Sequence, residues 1–268
     1  MKPKYRRVKK INNKNAQGEF YITDLPEIAA RDNIVTKVHV TKNEAEIMGC
    51  NSRADLAVIE AAAQDRLRAG IMSGGVTMRD PSTVYLSHDT KIAPDVIIEP
   101  SVVFGLGVEI AAGSYIKAFS YFEDSKIGKN ATIGPFTRLR PGADVGEEAR
   151  VGNFVEIKKA TIGKRSKIGH LAYVGDCKMG EDVNFSAGAI TVNYDGYDKH
   201  KTTIEDGVMV GSNVNLVAPL TIKKGAFVAA GSTISDNVPA DALSITRDEH
   251  KIRKNWAKEY RKRKTKKS

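Results

Sequence analysis

The residues with the clearest capacity for chemistry lie between positions 140 and 173. Arg140 and Lys158 are cations that could hold an anion, and a sugar phosphate is a suitable guest. His170 can take up a proton near neutral pH, which suits a general base for an amine nucleophile, since an ammonium has no lone pair with which to attack. Glu156 and Tyr173 lie nearby in the sequence. The five residues can act together only if the fold places them side by side.

An apolar residue returns every six positions through most of the chain. The first positions are Ile92, Ile98, Phe104, Ile110, Ile116, Phe122, Ile127, Ile133, Leu139, Val145, Val151, Ile157, Ile162, Ile168, Val174, Met179, Phe185, Ile204, Val210, Leu216, Ile222, Val228 and Ile234. Three units, at 122–126, 157–161 and 174–178, have five residues, and residues 191–203 interrupt the series. The fifth position is mostly small or apolar, and the second is often glycine.

A period of six fits neither an α-helix nor a two-faced strand. It fits a short strand followed by a corner, with positions one and five pointing inward and glycine easing the turn. Three units would close a triangular coil of about 18 residues, and the coils would stack ~4.8 Å apart, each covering its neighbour. The sequence therefore predicts a mainly β fold, a parallel β-helix.

Successive units alternate among three faces of this predicted prism. Units that start at 133, 151, 168 and 185 form face A, those at 139, 157 and 174 form face B, and those at 145, 162 and 179 form face C. Arg140 and Lys158 are second residues of successive face B units, so the two cations stack about 5 Å apart. An anion between them would relieve their repulsion. Two other interpretations stay open: Glu156 neutralises the cations, or their side chains extend into solvent.

The same register predicts that all five residues lie on one side of the prism. Glu156 and Tyr173 are sixth residues of face A units at the A/B corner, and His170 is the third residue of the unit that ends in Tyr173. The polar insertion 191–203 follows the face A unit 185–190, so we expect it above this cluster, since loops on a rigid scaffold often carry function. A lone histidine is more often structural, and its neighbours favour the catalytic interpretation.

Composition and charge limit the classes of partner. The net charge is +10, and residues 251–268 carry ten Lys or Arg against one Glu. This basic tail is expected to be solvated or to attract an anionic cofactor, and no nucleic-acid motif accompanies it. No apolar run is long enough for a membrane span, and the N-terminus lacks the apolar region of a signal peptide. Cys50 and Cys177 are far apart in sequence, so we expect a reduced, cytoplasmic compartment and no membrane insertion.

Four segments resemble one family: RLRPG (138–142), GNFVEIKK (152–159), GHLAY (169–173) and NYDG (193–196). The chain is similar, over about residues 90–250, to the acetyltransferase half of the bacterial bifunctional N-acetylglucosamine-1-phosphate uridyltransferase / glucosamine-1-phosphate N-acetyltransferase. The resemblance implies a left-handed β-helix, where the general rule for parallel crossovers gives a right-handed one. It also implies a homotrimer with sites at subunit interfaces.

The resemblance further implies a reaction and residue roles. The acetyl group of acetyl-CoA would pass to the amine of glucosamine 1-phosphate without Mg²⁺, in the UDP-N-acetylglucosamine pathway for peptidoglycan and lipopolysaccharide. His170 would be the general base, oriented by Glu156. The sugar phosphate would be bound by Arg140, Lys158, Tyr173, Asn184, Asn193 and Lys199. Acetyl-CoA would lie against Ala187, Asn193, Tyr194, Ser212, Ala230 and Arg247. Asn184 falls in a face C unit, which suggests sites shared between subunits.

The front of the chain resembles only the tail end of the uridyltransferase domain. Asn51 matches a position of that family that contacts metal and nucleotide, but the Gly-rich segment, the catalytic Lys and the metal-binding Asp of that domain have no counterpart here. We therefore expect no uridyltransferase activity and no metal site. Ser52 can cap a connecting helix and Gly70 can end it. The expected parts are a small α/β remnant at 1–51, a connecting helix and linker at 52–90, the β-helix at 91–246 and a helical basic tail at 247–268.

Three alternatives remain to be weighed. Another hexapeptide acyltransferase could use a longer acyl chain or a different amino sugar, which the specific segments disfavour. A β-helical carbonic anhydrase needs three histidines converging on zinc, and the five histidines are scattered through the sequence. A non-catalytic β-helical scaffold would show no thioester turnover, and the cluster of His, Arg and Lys argues against it.

Overall fold

The first of two compact units spans Met1–Ile59, and the regular elements described in it are helices and 3₁₀ turns. The structure is a computed structural model that describes residues 7–247 and 251–265. The unit contains helix α1, Leu25–Arg31, and the 3₁₀ turns Ile22–Asp24 and Glu44–Glu46. Among its described residues there is no strand, so of the expected α/β remnant only helical elements are present.

Helix α2, Arg53–Ser73, begins where the sequence predicts and ends later. Ser52 Oγ accepts from the backbone N–H of Asp55 at 3.1 Å, and Asp55 Oδ2 accepts from the N–H of Ser52 at 2.8 Å, a reciprocal capping pair. The prediction that Gly70 ends the helix is wrong. Ile71 and Met72 follow it and pack against the β-helix core, which offsets the cost of about 1 kcal/mol for an internal glycine. Gly75, with φ of 93°, lies just beyond the end.

Two polar side chains of α2 complete the open edge of the first coil. Gln64 Nε2 donates to the carbonyl of Leu86 at 2.8 Å, and its Oε1 accepts from the N–H of Leu86 at 2.9 Å, as a neighbouring strand would. Arg68 Nη1 donates to the carbonyl of Pro81 at 2.8 Å. Both side chains are buried. Because an unpaired strand edge invites association, this helix protects the start of the β-helix.

The second unit, Glu60–Ser268, contains a parallel β-helix with three faces. Face A consists of Thr77–Met78, Ile97–Ile98, Tyr115–Ile116, Thr132–Ile133, Arg150–Val151, Lys167–Ile168, Asn184–Phe185, Met209–Val210, Phe227–Val228 and Leu243–Ser244. Face B contains Val103–Phe104, Tyr121–Phe122, Arg138–Leu139, Ile190–Val192, Asn215–Val217 and Thr233–Ile234. Face C contains Lys91–Ile92, Glu109–Ile110, Ser125–Ile127, Ala143–Val145, Thr202–Ile204 and Leu220–Ile222. The long strands Val155–Ile162 and Ala172–Met179 belong to faces B and C and join them into one sheet.

The hexapeptide pattern forms the core. Every first-position residue of the series except Ile92 is buried. The β-helix also begins before residue 91, because Thr77–Met78 already pairs in parallel with Ile97–Ile98. The 3₁₀ turn Pro81–Thr83 interrupts the six-residue spacing of apolar residues. The sequence pattern therefore does not reveal this first coil.

The described part of the C-terminal tail lies outside the core. Helix α3, Trp256–Thr265, forms the basic tail, and its described side chains are exposed. Of the helices described, not one combines the length and the apolar character that crossing a membrane requires.

A pair of glycines on face A tests how closely the coils stack. A Cβ at Gly152 would lie 1.7 Å from the carbonyl oxygen of Gly169, whereas a Cβ at Gly169 meets nothing within 4 Å. We expect Gly152→Ala to destabilise the fold by about 3 kcal/mol, because backbone of the next coil must move, and Gly169→Ala to leave stability within about 1 kcal/mol. Denaturant unfolding of both variants measures this, and equal stabilities would contradict the close stacking.

Candidate active site

Strand register decides which face each polar residue occupies. Most strands consist of the sixth residue of one unit and the first residue of the next, so a sixth residue belongs to the following face. Glu156 and Tyr173 therefore pair side by side on face B, next to Arg138. Asn184 pairs with Lys167 and lies on face A. The assignment of Asn184 to face C was wrong, and with it the argument from that residue for shared sites.

A cationic cluster is formed by Arg140 and Lys158 of face B with Lys199 of the insertion, and we keep this name for the three residues. Arg140 Nη1 donates to Glu156 Oε1 at 2.7 Å, and this bond raises the pKa of the guanidinium. The open interpretation that Glu156 neutralises the cations therefore holds for Arg140. In the part of the chain that the structure describes, neither lysine of the cluster has a carboxylate within ion-pair distance.

The two lysines of the cationic cluster adjoin each other. The pKa of Lys158 lies below its ordinary value, chiefly because the ammonium of Lys199 lies beside it, with partial desolvation and Arg140 adding to the effect. Asp176 opposes the shift only weakly. A pair of cations without an anion between them is the arrangement that a phosphate group would stabilise.

Tyr173 lies flat against the backbone of Gly175 on the same face. A Cβ at Gly175 would lie 2.4 Å from the Tyr173 hydroxyl and 2.7 Å from its ring. Since side chains two positions apart share a face of a strand, glycine at position 175 leaves the space into which the phenol of Tyr173 extends. Gly175 pairs with Lys158, so the Tyr173 hydroxyl lies over the column of Arg140 and Lys158. The place of Gly175 two positions after a tyrosine is a signal in the sequence for this arrangement.

The insertion begins later than predicted and at a different corner. Residues 190–192 are a face B strand, and Thr202–Ile204 resumes on face C, so the inserted hairpin is 193–201 at the B/C corner. The expectation that it leaves directly after the face A unit is wrong. The reason is Thr191, which fills a core position with a hydroxyl that donates to the carbonyl of Gly175 at 3.0 Å and accepts from its N–H at 2.8 Å. Because Thr191 is polar and occupies the first position of a repeat unit, the apolar pattern of the sequence did not reveal this unit.

His170 lies on face A, at a cleft of about 540 Å³. The cleft is lined by Gly152, Gly169, His170, Asn184, Ala187 and Ser212, among others. The backbone of the second-position glycines forms the bottom of the cleft, because these residues have no side chain to fill it. The imidazole is thus separated by the A/B corner residue Leu171 from the cationic cluster on face B, and the five residues expected on one side occupy two adjacent faces.

A column of small residues continues from His170 along face A. Ile168, Phe185, Val210 and Val228 pair in register from coil to coil. The residues two positions further on therefore align in one column, which consists of His170, Ala187, Ser212 and Ala230. Three coil steps make this column about 14 Å long. Three of the residues that the resemblance assigns to acetyl-CoA thus lie in line with the candidate base.

Other predicted site residues lie away from this column. Asn193 is 7% exposed and donates from Nδ2 to Asp176 Oδ2 at 2.5 Å, which anchors the hairpin. Tyr194 lies in the hairpin, where its hydroxyl donates to the carbonyl of Gly196 at 2.6 Å. Arg247 is exposed beyond the last strand. Among the described residues Glu156 bonds to Arg140 and not to His170, so a role for Glu156 in orienting the histidine stays a prediction.

The chain contains repeats of two known hexapeptide families. The bacterial transferase hexapeptide (six repeats) matches residues 124–159, and the hexapeptide repeat of succinyl-transferase matches residues 201–236. A solved structure of a UDP-N-acetylglucosamine acyltransferase is similar with a TM-score of 0.53 and 20% identity, over 62% of this chain and 70% of that chain. This likeness concerns the fold alone. The prediction of a left-handed parallel β-helix is confirmed.

Two relatives extend the likeness over nearly the whole chain. The bifunctional protein GlmU of Maricaulis maris is 56% identical over 247 residues, which are 92% of this chain and 54% of the relative. The bifunctional protein GlmU of Paramagnetospirillum magneticum is 47% identical over 254 residues, which are 95% of this chain and 56% of the relative. The chain therefore spans little more than half the length of these relatives.

The pKa of Lys158 predicts how anion binding depends on pH. Because that pKa lies below the ordinary lysine value, the ammonium loses its charge earlier as the pH rises. We expect the affinity for inorganic phosphate to be full below the lowered pKa and to fall as the pH rises through it, before an ordinary lysine titrates at about 10.4. Calorimetric titration between about pH 7 and pH 10 measures this. Lys158→Met should bind more weakly and lose that alkaline decline, and an unchanged profile in this variant would remove Lys158 from the anion site.

Proposed function

Since the chain is homologous over nearly all of its length to proteins named bifunctional protein GlmU, we propose that it transfers the acetyl group of acetyl-CoA to the amine of glucosamine 1-phosphate. The products are N-acetylglucosamine 1-phosphate and CoA. The observation that carries this proposal is the column of Ala187, Ser212 and Ala230 that leads along face A to His170. Small side chains in line leave room for an extended acyl carrier whose thioester end reaches a base.

His170 acts as the general base in this proposal. Its imidazole takes a proton from the amine, and the amine attacks the carbonyl carbon of the thioester. A carbon–nitrogen bond forms, and the carbonyl oxygen becomes an oxyanion, which hydrogen-bond donors in a preorganised site would stabilise. Collapse of this intermediate breaks the carbon–sulfur bond, and the CoA thiolate receives the proton from His170.

The cationic cluster binds the phosphate in this proposal. The amine and the phosphate of glucosamine 1-phosphate are attached to neighbouring carbons of the sugar. The phosphate would lie against Arg140, Lys158 and Lys199, while the amine faces His170 at a site shared between subunits of a trimer. Glu156 holds Arg140 through the 2.7 Å bond, and Tyr173 offers a hydroxyl above the same column. Asn184 lines the cleft beside His170 and is available to a sugar hydroxyl.

We further propose a homotrimer, and the A/B corner offers the surface for it. Its fourth positions form an exposed apolar ladder of Phe119, Phe136, Phe154 and Leu171. The rings of Phe119 and Phe136 stack at 4.9 Å, and those of Phe136 and Phe154 at 5.2 Å. All four residues have left-handed backbone, with φ between 54° and 59°. Bulky side chains in this backbone conformation are unfavourable by about 1 kcal/mol each. A contact between subunits that requires these side chains would explain why they are present.

The remaining parts of the proposal follow the homologues. We place the reaction in the cytoplasm, with the product entering synthesis of UDP-N-acetylglucosamine. Lack of uridyltransferase activity in these 268 residues stays a prediction of the sequence, and Asn51 is exposed in the unit that precedes the β-helix.

Loss of the base should abolish most of the turnover. We expect His170→Ala to lower kcat by about 10²–10⁴, because no other group would take the proton of the amine. Thiol release from acetyl-CoA in the presence of glucosamine 1-phosphate measures this. His88→Ala, which removes an exposed histidine elsewhere, is the matched control. No CoA release above background by the native chain would disprove the proposed function, and a near-native rate for His170→Ala would remove this residue from the mechanism.

The apolar ladder gives a test of assembly. Phe136→Asn removes an aromatic ring while keeping a residue type that tolerates left-handed backbone. We expect the trimer dissociation constant to rise at least about tenfold, because the ring no longer excludes water at the contact. Sedimentation velocity over a range of concentrations measures it. Leu106→Asn removes an exposed apolar side chain at another corner as a control, and equal dissociation in both variants would count against the ladder as the contact surface.

A further inference from the structure

The hairpin 193–201 carries one member of the cationic cluster and must hold it against repulsion. Lys199 is exposed, and its ammonium lies beside that of Lys158. Like charges at this separation repel, so a free loop would move Lys199 away. The backbone of the hairpin therefore has to be fixed by other contacts.

Asp195 supplies most of those contacts. Its Oδ1 accepts from the backbone N–H groups of Tyr197 at 2.8 Å and Asp198 at 2.7 Å, which closes the turn. Its Oδ2 lies 2.7 Å from Nε2 of His200, the residue that follows Lys199. The pKa of Asp195 is held far below its ordinary value, first by His200 and then by the two backbone donors.

The two strands of the hairpin are tied to each other at the base, and the first strand is tied to the β-helix. Tyr194 and Lys199 form an antiparallel bridge, and the N–H of His200 donates to the carbonyl of Asn193 at 2.9 Å. Asn193 in turn bonds to Asp176 on the B/C corner. Asp195 thus contacts both chain neighbours of Lys199, Asp198 through its backbone N–H and His200 through its imidazole.

We propose that Asp195 and His200 are positioning residues for the sugar phosphate, because their pairing holds Lys199 against Lys158. This proposal rests on the proposed function for its choice of ligand. Neither residue needs to touch the substrate. The pair fixes the backbone around Lys199, so that the second cation is in place before the phosphate binds and less ordering remains to be done on binding.

Four variants distinguish the positioning role of Asp195 and His200 from a general effect on folding. Asp195→Ala removes all three acceptor contacts, and His200→Phe removes only the partner of Oδ2. His200→Gln keeps a side-chain donor that can reach Asp195 and serves as the conservative rescue. Asp198→Asn is the matched control, because it removes one negative charge from the same hairpin and its side chain has no hydrogen bond or ion pair among the residues described.

Steady-state kinetics give the first measurement. In Asp195→Ala we expect KM for glucosamine 1-phosphate to rise about tenfold to a hundredfold, the loss typical of one charge-assisted contact. In His200→Phe it should rise about tenfold, and in His200→Gln and Asp198→Asn it should stay within about twofold. KM for acetyl-CoA and the melting temperature should remain near native in all four. Equal losses for both substrates would indicate a general structural effect and overturn the proposal.

Titration of the lysines by NMR gives a second measurement that needs no activity. In the native chain Lys158 should titrate below its ordinary value, and in Asp195→Ala its pKa should return towards that value because Lys199 moves away. Asp198→Asn should leave it unchanged. An unaltered Lys158 pKa in Asp195→Ala overturns the proposal even if the native chain is an active acetyltransferase. A native chain that releases no CoA refutes the proposed function, while the change in the Lys158 pKa still decides the positioning role.

Discussion

Each coil of the β-helix forms backbone hydrogen bonds to the coils on either side, and this stacking fixes the place of every outward side chain. With parallel pairing in constant register, a residue in one coil lies directly over its counterpart in the next. Any residue type that recurs at one position becomes a column on the surface. The cleft on face A, the cations on face B and the apolar ladder at the A/B corner are all columns of this kind.

Close stacking also explains why the site consists of short side chains and isolated polar groups. The coils are too near each other for a Cβ at Gly152, so this second position of face A must carry no side chain. The same absence of side chains opens the cleft beside His170. At Gly175 the missing side chain leaves a place for the phenol of Tyr173. Glycine therefore serves both the packing of the scaffold and the shape of the site, and one substitution can affect both.

The hairpin 193–201 is the one described part of the candidate site that this stacking does not fix. It leaves the scaffold at the B/C corner, and its shape depends on side-chain contacts, above all those of Asp195. Thr191 makes the departure possible, since its hydroxyl keeps a polar residue satisfied in the core just before the chain leaves. The scaffold and the hairpin thus meet where Lys158 and Lys199 lie side by side, one cation from each.

The sequence by itself determined the fold, the three faces and most of the candidate site, because a period of six in apolar residues admits few other structures and the register follows from counting. It placed Arg140 and Lys158 in successive coils of one face, and it placed His170 on the same side of the prism. Only the tertiary structure decided which side of a corner each residue occupies, since a strand of two residues joins the end of one unit to the start of the next. This moved Asn184 to face A and separated His170 from the cations. Tertiary structure also decided the start of the β-helix, the end of α2 beyond Gly70 and the corner from which the hairpin leaves. In each case a contact distant in sequence outweighed a local signal: parallel pairing at Thr77, packing of Ile71, and the bond of Thr191 to Gly175.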